Sequence, residues 1–412
     1  MAATLVLYTC IHQPLPLRLP AQPIPPGAIR QAHGAPSLSR GAGADDLERC
    51  LYDLRAAEEA FREVIAPAYL PALEALRARA EQGLPISIGV SEAFLELARR
   101  WSPELLRPLR QLLRAPAVEA VAVEPRGSLL FAFDLPGFMR AMGDACERLA
   151  HFAGRAPRAA EVSGFCLNHE LYHALARLGF WAIAAGGEAQ ARGGHHPAHP
   201  SRWGGPIVLY RLDWLSDELR FQLRGGCTDP ARLAETAAGI PGEAALVHFE
   251  FDDLAFGPGA AGGADLLAAM AAACAERGVE PFTLTRAARR FERRAVISPP
   301  PTTTGMAGVS IEDLVGDGWT ERLIFGRMQQ AYQLSRLLGN PALRGVAGWL
   351  LQRIHLDLPA LCAGRGGLPP SHQRAHWWRE NPGYDATTGQ ILAVYDNFIR
   401  ATAGHVREEV LA

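Results

Sequence analysis

The sequence predicts an α/β protein: a parallel sheet or barrel wrapped by helices, followed by a C-terminal α-helical domain. Three observations carry this. Short apolar runs of the kind that form buried strands alternate with stretches of helical periodicity. Polar, chemically capable side chains stand directly after several of these runs, where parallel sheets and barrels present their working end. Finally, Pro299-Pro300-Pro301 and the threonines after them break the alternation, and the pattern beyond is almost wholly helical.

The first run, Leu5 to Ile11, ends at His12-Gln13-Pro14. Gln22 to Ala44, rich in Pro, Gly, Ala and Ser, reads as a long surface loop. Helical spacing holds from Asp46 to Glu81, with breaks expected at Pro67 and Pro71. Ile86 to Val90 is a second strand, with a helix after it ending near Arg114, and Val118 to Val123 is a third, closed by Glu124-Pro125-Arg126-Gly127. Phe138 to Ala153 is helical. Phe165-Cys166-Leu167 reads as a weak fourth strand leading into Asn168-His169-Glu170. Trp181 to Ala184, Ile207 to Leu212 and Leu246 to Phe251 are further strands, the last stopping at Asp252-Asp253, and Leu266 to Arg277 is a helix. Helices follow at Thr320–Leu338, Pro341–Leu351 and Thr388–Ala403. The change of pattern divides the chain into residues 1–300 and 301–412.

Composition narrows the chemistry. All 41 basic residues among the 412 are arginine, so Schiff-base enzymes and P-loop nucleotidases, which need a lysine, are excluded. The 43 acidic residues bring the net charge to −2, and without a basic stripe nucleic acid is not an expected partner. Seven cysteines are scattered with no C-x-x-C spacing, which argues against a zinc ribbon or a disulfide framework and for buried thiols in a reducing compartment. Met1 to Ile11 has no basic leader and runs into polar, proline-rich sequence, so neither a signal peptide nor a membrane span is expected. These features together predict a cytoplasmic enzyme.

The polar residues after the strands are His12 and Gln13, Glu124, Glu170, and Asp252 with Asp253. Two carboxylates on different strand ends can serve as nucleophile and general acid in glycoside cleavage. Acids at strand ends also cap the helices that follow, which is the bland alternative. Gly257-Pro258-Gly259-Ala260-Ala261-Gly262 matches a dinucleotide fingerprint in form, but acidic residues crowd the place of the pyrophosphate and no ribose-binding acid follows on a clear strand. His195-His196 with His199 lies in a Gly/Pro-rich loop without metal-ligand register. Trp377 and Trp378 offer faces for a sugar ring or for packing the helical domain.

In order along the chain, these segments resemble glycoside hydrolase family 57, in its α-amylase-like branch. Leu5 to Pro14 is similar to the family's first motif. Asn168-His169-Glu170-Leu171-Tyr172 resembles an Asn-Thr-Glu-Leu segment, Leu215 to Phe221 resembles a Leu-Ser-Asp-Asp run, and Phe251-Asp252-Asp253-Leu254-Ala255-Phe256-Gly257 resembles Met-Asp-Tyr-Glu-Thr-Phe-Gly. Met328 to Tyr332 and His376-Trp377-Trp378 look like the C-terminal helix and its Asp-His-aromatic-aromatic motif. The resemblance implies a distorted seven-stranded parallel (β/α) barrel followed by a C-terminal α-helical domain. It also implies retaining chemistry on α-glucans with no cofactor and no metal. On it, Glu170 is the nucleophile, Asp252 the acid/base, and His12 and His376 contacts to the substrate, with Gln13, Glu124, Trp377 and Trp378 as further substrate-binding residues.

The departures are as specific. A family histidine is replaced by Gly127, the glutamate two residues after the acid is Leu254, and the aspartate before the C-terminal histidine is Ala375. Three readings remain: a hydrolase or glucanotransferase with altered subsites, a degenerate member that binds glycan or serves as a scaffold without turnover, and a dinucleotide enzyme, which predicts an open sheet with Gly257 to Gly262 tight against a helix N-terminus.

Overall fold

The computed structural model describes residues 4–20, 43–186, 198–199, 205–225, 228–239, 244–257, 259–290, 319–356 and 387–411. Its strands are β1 (Thr4–Ile11), β2 (Ile86–Val90), β3 (Val118–Val123), β4 (Ala159–Glu161), β5 (Ala182–Ala185), β6 (Ala198–His199), β7 (Ile207–Tyr210), β8 (Ala245–His248) and β9 (Glu280–Phe282). Seven of them, all parallel, run β7-β5-β4-β3-β2-β1-β8 and form a nearly closed barrel. The seam lies between β7 and β8, joined by one bridge, Arg211 to Leu246, and by the Leu212 N–H donating to Leu246 O at 2.9 Å. β6 adds antiparallel to β7. An open doubly wound sheet, the frame a dinucleotide site would need, is therefore not what this chain builds.

Alternation along each strand sorts side chains into two cores. Leu5 and Leu7, Ile86 and Ile88, and Val118 and Ala120 face outward into the layer beneath the helices. Val6, Tyr8, Val121, Ala159, Ala182, Leu209 and Leu246 face the lumen. Because both faces are covered, these strands read as continuous apolar runs, which is why most were legible. The N-terminal end of the lumen is plugged by β9 and the helix Leu284–Arg290. There the Leu284 N–H donates to Ser87 Oγ at 2.9 Å and the Thr285 N–H to Glu119 at 3.0 Å. Only the C-terminal end is left for chemistry.

Three sequence expectations shift. The fourth strand is Ala159–Glu161, not Phe165–Leu167. Two alanines carry too little apolar signal to mark a strand, whereas Phe165 in fact belongs to a single 3-10 turn. The strand expected to reach Phe251 stops at His248 because Glu250 caps the short helix Phe251–Ala255. The prolines at 67 and 71 do not break the helix: a π turn, Ala60–Ile65, leads into Ala66–Glu81. Pro67 then falls in the first turn, where no intrahelical N–H is required.

The C-terminal helices Trp319–Arg336, Pro341–Gly348 and Thr388–Leu411 pack on the barrel's outer layer. Ile324, Met328, Tyr395 and Phe398 belong to the same apolar cluster as the outward faces of the strands. The expected boundary at residue 300 lies outside the described residues. No described helix is long and apolar enough to cross a membrane.

Polar joints fix these helices in place. Tyr52 Oη donates to Val346 O at 2.9 Å, and Tyr332 Oη donates to Asp134 Oδ2 at 2.5 Å. Asp134 also caps the helix Leu135–Ala153, accepting from the Gly137 N–H at 2.9 Å. Burial pushes its carboxyl up, but the Tyr332 hydroxyl, the Gly137 N–H, Arg336 and Arg140 outweigh burial and hold it below its ordinary value. Replacing Asp134 with Asn keeps the cap and removes the charge, and should cost roughly 1–2 kcal/mol at neutral pH. Since the folded value lies below the unfolded one of about 3.9, that contribution is complete above it and lost as pH falls through the folded value. Urea denaturation of the two proteins should therefore show a stability gap that narrows below about pH 4.

Candidate active site

The working end of the lumen begins at Gly89. A Cβ on that residue would stand 2.5 Å from Val123 Cγ1 and 2.8 Å from the Tyr8 hydroxyl, so only glycine leaves room for the phenol. Tyr8 thereby reaches across the barrel from β1 to β4, where its hydroxyl donates to Glu161 Oε2. Glu161 is the last residue of β4 and is 7% exposed. Phe165 packs edge-on against Tyr8, with ring centres 5.9 Å apart, and against His248 at 4.8 Å. Its backbone has φ +54°, the one positive value at a non-glycine position among the described residues. Strain of that kind is kept only where the surroundings enforce it. Here they include Gly164, also left-handed at φ +70°, whose missing Cβ is replaced by the Arg353 guanidinium.

A second carboxylate is positioned after β8. Asp252, 8% exposed, accepts from the Tyr69 hydroxyl at Oδ1, and that hydroxyl in turn accepts from Gln13 Nε2 at 2.8 Å. Tyr69 comes from the helix Ala66–Glu81 in the segment between β1 and β2, so insertion and barrel build this arm together. Asp253, its neighbour, is bound by Arg220 and Arg224, each at 2.5 Å. Strand alternation would have put Glu250 and Asp252 on one face, but the turn into a helix replaces it. Glu250 instead caps that helix, 4.0 Å from His248 Nδ1.

The rim between β1 and β3 is closed by local bonds. His12 Nδ1 and Ser91 Oγ share a hydrogen bond at 2.9 Å, and the ring lies over Gly127, whose φ is +63°. Glu124 accepts from the Ser128 hydroxyl at 2.6 Å and from the Arg126 N–H at 2.9 Å. Burial pushes its carboxyl above the ordinary value, against those bonds, and leaves it serving its own loop rather than the cleft. The C-terminal segment clamps the same loop: the Arg353 N–H donates to Gly127 O at 2.9 Å and Gln352 Nε2 to Arg126 O at 3.1 Å.

Of the residues marked from sequence, the structure gathers His12, Gln13 and Asp252 around the end of β1 and β8. Glu170 stands apart, exposed in the first turn of the helix His169–Arg177, whose N-cap is Asn168. Leu254 is buried against Gly263. His376, Trp377, Trp378, Ala375, His195 and His196 lie outside the described residues. Sequence reasoning missed Glu161, Tyr8, Tyr69 and Arg353. Glu161 had one available signal, an acid directly after a short run beyond the helix that ends at Ala153.

Residues 40–300 match the profile of glycosyl hydrolase family 57. No curated protein sequence matches the chain. Among solved structures, the 4-alpha-glucanotransferase of Thermococcus litoralis is similar with a TM-score of 0.60 at 14% identity, over 87% of this chain and 56% of that one. The chain thus spans little more than half of that enzyme. The alpha-amylase AmyC of Thermotoga maritima is similar with a TM-score of 0.56 at 10% identity, over 100% of this chain and 94% of that one. The family 57 branching enzyme of Pyrococcus horikoshii has a TM-score of 0.52 at 12% identity, over 99% and 87%. At these identities the likeness is one of fold.

A side chain at position 127 meets both strain and collision, since its Cβ would stand 2.7 Å from His12 Nε2. Gly127→Ala should destabilise the protein by about 1–3 kcal/mol in denaturant unfolding. Adding His12→Ala should recover part of that loss, a coupling that a double-mutant cycle measures directly.

Proposed function

Because the chain belongs to glycosyl hydrolase family 57, shown by the match over residues 40–300, we propose that it acts on α-glucans with Glu161 and Asp252 as its carboxylate pair. The observation that carries this reading is the matched setting of the two acids: each is buried at the C-terminal end of a barrel strand, and each accepts a tyrosine hydroxyl. The names of its structural neighbours, a glucanotransferase, an amylase and a branching enzyme, support an α-glucan as the substrate class.

Glu161 takes the role that motif resemblance assigns to Glu170. Glu170 is exposed in the first turn of its helix, and among the described residues no side chain bonds to its carboxylate to orient it. The Tyr8 bond orients the Glu161 carboxylate that attacks the anomeric carbon, and the Tyr69 bond orients the Asp252 carboxyl that gives its proton to the leaving oxygen. Deprotonated Asp252 then draws a proton from water or from a sugar hydroxyl, giving hydrolysis or transfer. Double displacement of this kind works with carboxyl groups about 5–5.5 Å apart. His12 and Gln13 line the approach, while Glu124 shapes the loop that carries Gly127.

One feature favours the non-catalytic reading. Glu161 is 7% exposed, and Phe165 packs edge-on against the tyrosine that holds it, so a sugar reaches the carboxylate only by displacing some of this packing. Maltoheptaose incubation, with product sizes read by chromatography, separates the two. Shorter chains alone mean hydrolysis, shorter and longer chains mean transfer, and binding without any change in size means the non-catalytic reading holds. In an active protein, Glu161→Gln and Asp252→Asn should each lower kcat roughly a thousandfold or more. Glu170→Gln should stay within about threefold of the parent. A dead Glu170→Gln beside an active Glu161→Gln would overturn the assignment.

A further inference from the structure

We propose that Gln13 and Tyr69 are positioning residues for Asp252, joined to it by a buried chain of hydrogen bonds that runs in one direction. The proposal rests on the reading of Asp252 as the acid/base. Motif resemblance makes Gln13 a substrate contact. In the structure it follows β1 at the approach to the cleft, but its side chain is turned inward. The residue is 2% exposed, Nε2 donates to Tyr69 Oη at 2.8 Å, and Oε1 is buried as well. An amide enclosed at both heads acts on a substrate only through its partner, and the hydroxyl of that partner donates to Asp252 Oδ1.

Packing fixes the phenol independently of these bonds. The Tyr69 ring stacks on Phe94 with centres 5.8 Å apart, and meets Phe251 edge-on at 4.7 Å and Phe256 edge-on at 6.2 Å. Phe251 opens the short helix that carries Asp252, and Phe256 is its C-cap. One side chain from the inserted helix Ala66–Glu81 thus grips the backbone on both sides of the acid and bonds to its carboxyl.

The direction of the chain carries the inference. A phenol has a single proton to give. Tyr69 gives it to Asp252, so from Gln13 it can only accept, and the amide must present Nε2. Oε1 is then buried without a hydrogen-bond partner, which native structures rarely keep without a reason. Turning the amide over would give Oε1 the proton of the phenol, strand Nε2 instead, and take the donor away from Asp252. Of the two senses, the one observed serves the acid. Donors in line polarise one another, and a donated bond favours the ionised carboxylate, so the chain makes Asp252 a readier proton donor to the leaving oxygen. The charges on the neighbouring elements have partners of their own. Asp253 is bound by Arg220 and Arg224 of the helix Asp213–Leu223, Arg79 by Asp265 of the helix Ala260–Glu276, and Arg77 by Glu81 at 2.6 Å. Glu250 caps its helix 4.0 Å from His248 Nδ1, and His12 Nδ1 shares its bond with Ser91.

The test compares the full chain with Gln13→Met, which replaces the amide by an apolar side chain of similar length, and with Tyr69→Phe, which keeps the ring and removes the hydroxyl. Two substrates are needed: maltoheptaose, whose leaving sugar takes a proton, and α-maltosyl fluoride, whose fluoride departs with little help from an acid. Each variant should lower kcat on maltoheptaose about tenfold or more with KM within about twofold, and keep kcat/KM on the fluoride within about threefold. Losing the donor also holds the proton on Asp252 more firmly, so the alkaline limb of the rate profile should move to higher pH. A raised KM with unchanged kcat would make Gln13 a substrate contact and overturn the proposal, as would equal losses on the two substrates. The carboxyl NMR resonance of Asp252, identified by its loss in Asp252→Asn, should titrate at higher pH in both variants than in the parent. This titration needs no turnover. In a protein that leaves maltoheptaose unchanged, a moved midpoint still supports the chain and an unmoved one overturns it, so the chain and the carboxylate-pair reading fail separately.

Discussion

Everything at the working end depends on how little room a seven-stranded ring encloses. An eight-stranded barrel is only just wide enough for side chains to fill it, and here the lumen is lined largely by alanine, valine and leucine. One large side chain can cross such a space only if another position yields its volume. Gly89 yields, Tyr8 crosses, and the carboxylate of Glu161 is thereby fixed from the opposite wall. The ring is least tightly closed at the β7–β8 seam, where a single bridge joins the strands.

Tyrosine–carboxylate pairing recurs at the structural joints as well. Tyr8 with Glu161 spans the lumen, Tyr69 with Asp252 binds the inserted helix to the end of β8, and Tyr332 with Asp134 fastens the C-terminal helices. A phenol is a sound partner for a buried carboxylate in a chain without lysine. It satisfies one oxygen without neutralising the charge, and it brings a rigid apolar ring that packs where an ammonium group would need water. Where full neutralisation is required, as at Asp253, two arginines supply it.

Much of this was legible in the sequence, and the exceptions have definite causes. β1, β2 and β3 are long and apolar enough to mark themselves, and the strand-end position of His12 and Gln13 follows from them. β4 is three residues with two alanines, so its apolar content lies below any useful signal and the stronger Phe165-Cys166-Leu167 took its place. With that displacement the acid that sequence reading set at the fourth strand end was Glu170, whereas the acid that closes β4 is Glu161. Tyr69 was hidden for a different reason: it belongs to a helix whose face is decided by tertiary packing, and nothing local marks which of its residues meets β8. Arg353 acts through the space left by Gly164, a relation between distant positions that no single-sequence pattern reports.

The pairing of Gly127 with His12 bears on how this sequence can change over time. Motif resemblance sets a histidine of the amylase-like branch at the position of Gly127, and here the His12 ring fills the space a side chain would need. The backbone has meanwhile settled into a left-handed turn, held from the other side by the Arg353 N–H. A side chain at this position therefore meets two separate barriers: removing the His12 ring lifts the collision, but the left-handed turn keeps its strain. Changes at 127, at 12 and in the C-terminal clamp are thus tied to one another, and the rim can be rebuilt only as a unit, whatever reaction it serves.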